Sequence, residues 1–260
     1  MAARWWWLAG VLALAWPLRT VAAETFSHAD WTAVLQRFVD DQGRVDYHGL
    51  AADRAVFDRY LAKVESISPE NRPELFPTRE DQLAYYLNAY NALVFNGVLA
   101  RGPEEESVWS GLISGFNFFS RMEITVGGKV TNLKQLEDDV VRARFGDPRV
   151  HAALNCASVG CPRLPREAFE PATLDAQLQS AMTEFVNNPL NCKVDEASRT
   201  VTLSKIFDWF SADFLDYERR QGTAQPVVLD YVNRFRASDQ RIPRDFKVQF
   251  SPYDKRLNKQ

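Results

Sequence analysis

The sequence predicts a helix-rich α+β fold: a single globular domain over 24–260 that carries small β-hairpins. Three observations lead there. Apolar residues recur at helical spacing from residue 29 to residue 237, and two short segments alternate around turn residues. No internal repeat, low-complexity tract or long linker divides the chain. The roughly 240 residues that follow a leader suit one large domain.

Taken in order, the first helix is expected over 29–40, where Trp31, Val34, Leu35 and Phe38 share a face and Ser27 stands ready to cap. An extended piece at Val45-Asp46-Tyr47 leads to a helix over about 50–65. The proline-rich run ISPENRPELFPT is a connection. Thr78 followed by Asp81 opens a strong helix over about 79–100, a capping box built with the shorter acid. After Gly102 the run EEESVWSGLISGFNFF reads as a loop that returns to pack. RMEITVGGKVT reads as a hairpin turning at Gly127-Gly128. Thr131 or Asn132 then caps a helix that runs to Phe145 and stops at Gly146. A helix from Pro171 or Thr173 to about Val186 precedes the second hairpin, CKVDEASRTVTLS. Helices near 204–217 and 226–237 follow, and FKVQFSPYD reads as a final strand.

The N-terminus has a secretory layout. Arg4 supplies the positive charge, WWWLAGVLALAW is too short to span a bilayer, and Val21-Ala22-Ala23 precede Glu24. Residues 1–23 are therefore expected to be a signal peptide, and the mature chain to be periplasmic or secreted. Removing Arg4 and Arg19 from 31 basic residues leaves 29 against 34 acidic ones, a net of −5. Such a chain has no electrostatic footprint for nucleic acid. No later apolar run is long enough for a membrane span, so the expected partner is a small molecule or a protein.

The chemistry concentrates in HAALNCASVGCP at 151–162, which gathers His151, Asn155, Cys156 and Cys161. Three readings fit. The two thiols can close a disulfide, with Gly160 and Pro162 supplying turn chemistry. Cys161 with Cys192 would close a longer loop and restrict the unfolded chain more. Zinc is a second reading, through His151, Cys156 and Cys161. The spacing lacks the close ligand pairs of common zinc modules, and no metal or other cofactor is expected. In the third, Cys156 is a nucleophile with His151 as base or orienter, which requires a lowered thiol pKa. Five residues of separation set the two about 140° apart on a helix, so direct pairing needs a bend between them. His28 and His48 can serve only if the N-terminal region folds over the site.

Four segments recur together in one family. They are LAYYLNAYNALVFNGVL at 83–99, LEDDVVRARFGDPRVHAALNCASVGCPRL at 136–164, LSKIFDWFSADF at 203–214 and SPYDKRLN at 251–258. The set resembles the domain-of-unknown-function family 547, found in exported bacterial proteins and longer plant proteins, over about 78–258. A histidine common after the LE pair is Asp138 here, and an aromatic common after the terminal YD is Lys255. The resemblance implies kinship and no established reaction.

Two further groups carry candidate roles. Asn88 and Asn91 lie three apart on an apolar helix, where they either line a pocket or lock onto a neighbouring backbone. Lys205, Trp209 and Asp213 share a face if 204–217 is one helix. The active region is expected to join Asn88 and Asn91 to 151–161, with Asn155 and Lys205 as further binding residues. The leading reading is a binding or scaffold module whose loop at 151–161 is shaped by a Cys156–Cys161 disulfide. The alternative is a thiol-dependent hydrolase or transferase using Cys156 with His151.

Overall fold

A computed structural model describes residues 25–102, 104–109 and 114–260, the side chains of 114–116 excepted. The expected signal peptide lies outside the described residues. The rest is the expected helix-rich α+β domain.

Helix α1 (Ala29–Phe38) buries Trp31, Val34, Leu35 and Phe38, the apolar face read from the sequence. His28 rather than Ser27 occupies the cap position, while the Ser27 hydroxyl accepts the Ala29 N–H at 3.3 Å. The single helix expected over 50–65 is two, α2 (Tyr47–Ala52) and α3 (Ala55–Ser66). Asp46 starts the first of them by accepting the Gly49 N–H at 2.7 Å, several residues ahead of the expected start.

Helix α4 (Arg79–Arg101) is the axis of the molecule. Its capping box forms as expected, with the Thr78 hydroxyl accepting the Asp81 N–H and the Asp81 carboxylate accepting the Thr78 N–H. Nearly every residue from Leu83 to Val98 is buried, so α4 is surrounded rather than laid on a surface. Among the described residues, no helix is long and apolar enough to cross a membrane.

The stretch expected to be a loop after Gly102 contains helix α5 (Ser114–Ser120), which brings Phe118 into the core. Strands β1 (Ile124–Val126) and β2 (Lys129–Thr131) form the first hairpin. Its turn needs glycine, because Gly127 and Gly128 both have positive φ. Asn132 then caps α6 (Leu133–Gln135). Where an α-helix was expected to continue, a π-helix spans Leu136–Arg142 before α7 (Ala143–Phe145) and the left-handed stop at Gly146.

Helix α8 (Leu174–Asn187) precedes β3 (Cys192–Asp195) and β4 (Thr200–Leu203), the second hairpin. Strand β5 (Lys247–Phe250) joins it parallel to β4, with Val201 opposite Val248. Between them, the helix expected over 204–217 breaks at Phe210 into α9 (Ile206–Trp209) and α10 (Ser211–Arg220). The last helix, α11 (Val228–Val232), is short and continues as a 3-10 turn to Phe235.

Among the described residues, buried side chains form two apolar bodies. The larger packs Trp31, Phe57, Tyr60, Tyr85 and Phe95 around α4. The smaller packs Met182, Phe185, Leu203, Phe207 and Phe214 around the three-stranded sheet. The C-terminal segment is fastened to the larger body's side: Val45 pairs with Lys259, Ser158 pairs with Leu257, and the Val45 N–H donates to the Asn258 carbonyl at 2.8 Å.

Candidate functional site

The segment 151–162 is shaped by amides. The Asn155 N–H donates to Asn91 Oδ1 at 2.9 Å, and Asn91 Nδ2 donates to the Ala153 carbonyl at 3.0 Å. Asn155 Oδ1 accepts the Ala157 N–H at 2.8 Å while its Nδ2 donates to the Pro162 carbonyl at 2.9 Å. One side chain thus ties both ends of the cysteine loop. Ala157 pays for that closure with a left-handed backbone, φ 59°, which is unfavourable for a residue carrying Cβ. Across the loop, Gly160 lies against the C-terminal segment, where an added Cβ would sit 2.9 Å from the Tyr253 ring.

This geometry sets Cys156 Sγ 2.6 Å from Cys161 Sγ. A disulfide bond is about 2.05 Å, and both residues are free thiols here. Tyr253 Oη caps the pair, 2.8 Å from Cys156 Sγ and 3.0 Å from Cys161 Sγ. The Cys156 N–H donates to Cys161 Sγ at 3.0 Å. The hydrogen bond to Cys161, together with burial, pushes the Cys156 thiol well above the ordinary range. Burial opposes charge on Cys161 as well, but its donors from Cys156, Tyr253 and the backbone hold it below the ordinary range. The acidic sulfur of the pair is therefore Cys161. Cys192 lies in β3, where its sulfur meets the Arg236 guanidinium at 3.7 Å.

The thiols line an aromatic cavity of about 120 Å³ together with Tyr90, Trp109, Glu137, His151, Phe210 and Tyr253. Trp209 closes one edge by packing on Tyr253, centroids 4.8 Å apart. His151 Nε2 pairs with Asp213 Oδ2 at 2.8 Å, and the imidazole stacks on Phe210 at 4.0 Å. Arg142 grips the same carboxylate with two bonds of 2.7 and 3.0 Å and also pairs with Asp138. Burial lowers the His151 pKa despite Asp213, so the ring stays neutral at pH 7. No hydrogen bond joins His151 to either sulfur among the described residues. Asp138 belongs to this ion-pair network.

Sequence reasoning passed over Glu137. It stands in the π-helix, its carboxylate accepts from Tyr90 Oη at 3.1 Å, and it lines the cavity. Burial raises its pKa to about 7. Glutamate next to Asp138 and Asp139 looks like a solvated face, and only the wider π turn signals otherwise.

The other expected residues separate. Asn88 grips both backbone groups of Phe169, at 2.8 and 2.9 Å, and like Asn91 it does not line the cavity. Asn155 and Lys205 line a wider groove of about 610 Å³ on the far side of the loop, and Cys161 and Tyr253 face both spaces. Lys205 pairs with Asp208 at 2.6 Å. The common face expected of Lys205, Trp209 and Asp213 does not form, because the chain breaks at Phe210. His28 is buried against Tyr60 and His48 faces Glu104, so neither approaches the thiols. Among the described residues, no cluster of three or more His, Cys, Asp or Glu side chains is placed to hold a metal.

Residues 75–186 match the family described as "Protein of unknown function, DUF547". The chain is similar to that family over this stretch, which is less than half of its length. No curated protein and no solved structure matches it. The matched residues supply Tyr90, Trp109, Glu137, His151 and both thiols of the cavity. The opposite wall, Ile206, Trp209, Phe210 and Tyr253, comes from beyond the DUF547 match.

Proposed function

We propose that the domain is an exported binding module whose aromatic cavity is shaped by a disulfide clip between Cys156 and Cys161. The observation that carries this reading is the pair of sulfurs 2.6 Å apart in the cavity wall, held under the Tyr253 hydroxyl. Closing the clip needs only a small approach of the sulfurs. A cavity of about 120 Å³ accepts a group the size of one aromatic or aliphatic side chain, comparable with engineered apolar cavities that take benzene. Its walls of Trp, Phe and Tyr favour an apolar body, and Glu137 offers one polar contact.

The test is non-reducing peptide mapping of the exported protein, with intact mass taken on the same sample. The expected result is loss of residues 1–23, a linked Cys156–Cys161 peptide and a free Cys192. Cys161 linked to Cys192, or Cys156 recovered as a free thiol, overturns the clip.

One observation favours the second reading, a thiol-dependent hydrolase or transferase. His151 and Asp213 form an oriented pair, and the imidazole lines the same cavity as Cys156. Against it stand the thiol pKa directions, which put the negative charge on Cys161.

A further inference from the structure

The thiol pair is two-sided. Cys161 faces both the groove and the cavity, whereas Cys156 faces the cavity alone, where Glu137 also lies. We propose that this arrangement is a dithiol–disulfide exchange centre: an external disulfide reaches Cys161 from the groove, and Glu137 receives the Cys156 proton on the cavity side. The proposal rests on the clip reading, since it requires the Cys156–Cys161 bond to form.

The chemistry balances with an organic disulfide as oxidant. The Cys161 thiolate attacks one sulfur of that disulfide, forming a mixed disulfide and expelling the other sulfur as thiolate. Cys156 then gives its proton to the Glu137 carboxylate and attacks Cys161 Sγ. This forms the internal disulfide and expels the second thiolate. Two electrons pass from the dithiol to the external disulfide, and the two thiol protons end on the two released thiols. A cavity of about 120 Å³ has room for the water that carries a proton between sulfur and carboxylate.

Glu137 suits that role for reasons of geometry and environment. Its hydrogen-bond partner is the neutral Tyr90 hydroxyl from α4, at 3.1 Å. Burial favours its protonated form, and Asp138 adds to that, while the Tyr90 hydroxyl, Arg142 and Lys134 favour the carboxylate. Cys156, Cys161, Tyr253 and His151 are the other titratable groups lining the cavity. The balance leaves Glu137 near pH 7, where it can both accept and release a proton. Its charge also helps hold the Cys156 thiol protonated until the mixed disulfide has formed.

The experiment uses the reduced full-length mature protein and bis(2-hydroxyethyl) disulfide, with acid quenching and mass mapping over pH 5–9. In the wild type, internal disulfide formation should accelerate with pH through an inflection near 7, as Glu137 becomes a carboxylate. Glu137→Gln should reach the same end point but close at least about ten-fold more slowly at pH 7, without that inflection. Tyr90→Phe removes a donor that favours the carboxylate, so it should move the inflection upward. Cys156→Ser should trap the mixed disulfide on Cys161. An unmoved inflection in Tyr90→Phe, or Glu137→Gln matching the wild-type rate at every pH, overturns the assignment of Glu137 while leaving the clip standing. Absence of a Cys156–Cys161 bond in the wild type at every pH overturns the clip itself.

Discussion

Asn88 gives its whole carboxamide to the backbone of Phe169, one bond from each of its two ends. Removing it by Asn88→Ala orphans a buried N–H and a buried C=O at once. Stability should fall by about 1–3 kcal/mol for each group left unsatisfied, read as a lower denaturant midpoint with the slope unchanged. A midpoint within error of the wild type would mean that the amide is not a lock. At this scale the sequence was informative about which residues matter and less so about their tasks. Two amides three apart in an apolar helix must find partners, and that much follows from burial. Which backbone they meet depends on chain segments more than sixty residues away. Glu137 was missed for the converse reason, since an acid among acids gives no local sign that the fold will enclose it.

Among the elements, those with strong local signals were legible. The capping box of α4, the glycine pair between β1 and β2, and the apolar face of α1 all stand where the residues put them. Breaks within helical stretches were not legible. The π-helix 136–142 and the interruption at Phe210 keep the same apolar spacing as an uninterrupted helix over one or two turns, so periodicity cannot separate them. Yet these two irregularities place Glu137 in the cavity and Asp213 against His151. The cysteine loop offers a direct check on how closely the elements fit. A Cβ at Gly160 would stand 3.0 Å from the backbone N and O of Asp254 as well as close to the Tyr253 ring. Gly160→Val should therefore push the C-terminal segment off the loop and destabilise the fold by about 1–3 kcal/mol. Thermal melts beside the wild type would report it, and an unchanged midpoint would contradict the close packing.

Viewed whole, the described fold closes on itself through residues 253–258. Tyr253 covers the thiols, Leu257 pairs with Ser158, and Asn258 meets both Tyr47 and Asn155 through side-chain hydrogen bonds. Tyr47 Oη and Asn155 are buried contacts, so their loss leaves polar groups without partners. A chain ending at residue 250 should therefore lose cooperative unfolding and expose Cys156 and Cys161 to rapid alkylation. A truncated chain that melts like the wild type, with protected thiols, would refute this. No sequence pattern announced the arrangement, because SPYDKRLN has no periodicity and its partners, from Val45 to Trp209, lie far from it in the chain.

That closure also sets a schedule for biosynthesis. A polypeptide is made from its N-terminus, so Cys156 and Cys161 emerge long before Tyr253 exists. On a nascent chain the two sulfurs are alike, uncovered and equally open to whatever oxidant they meet. Only when Tyr253 has docked on the loop does one sulfur become the acidic partner and the other its proton donor.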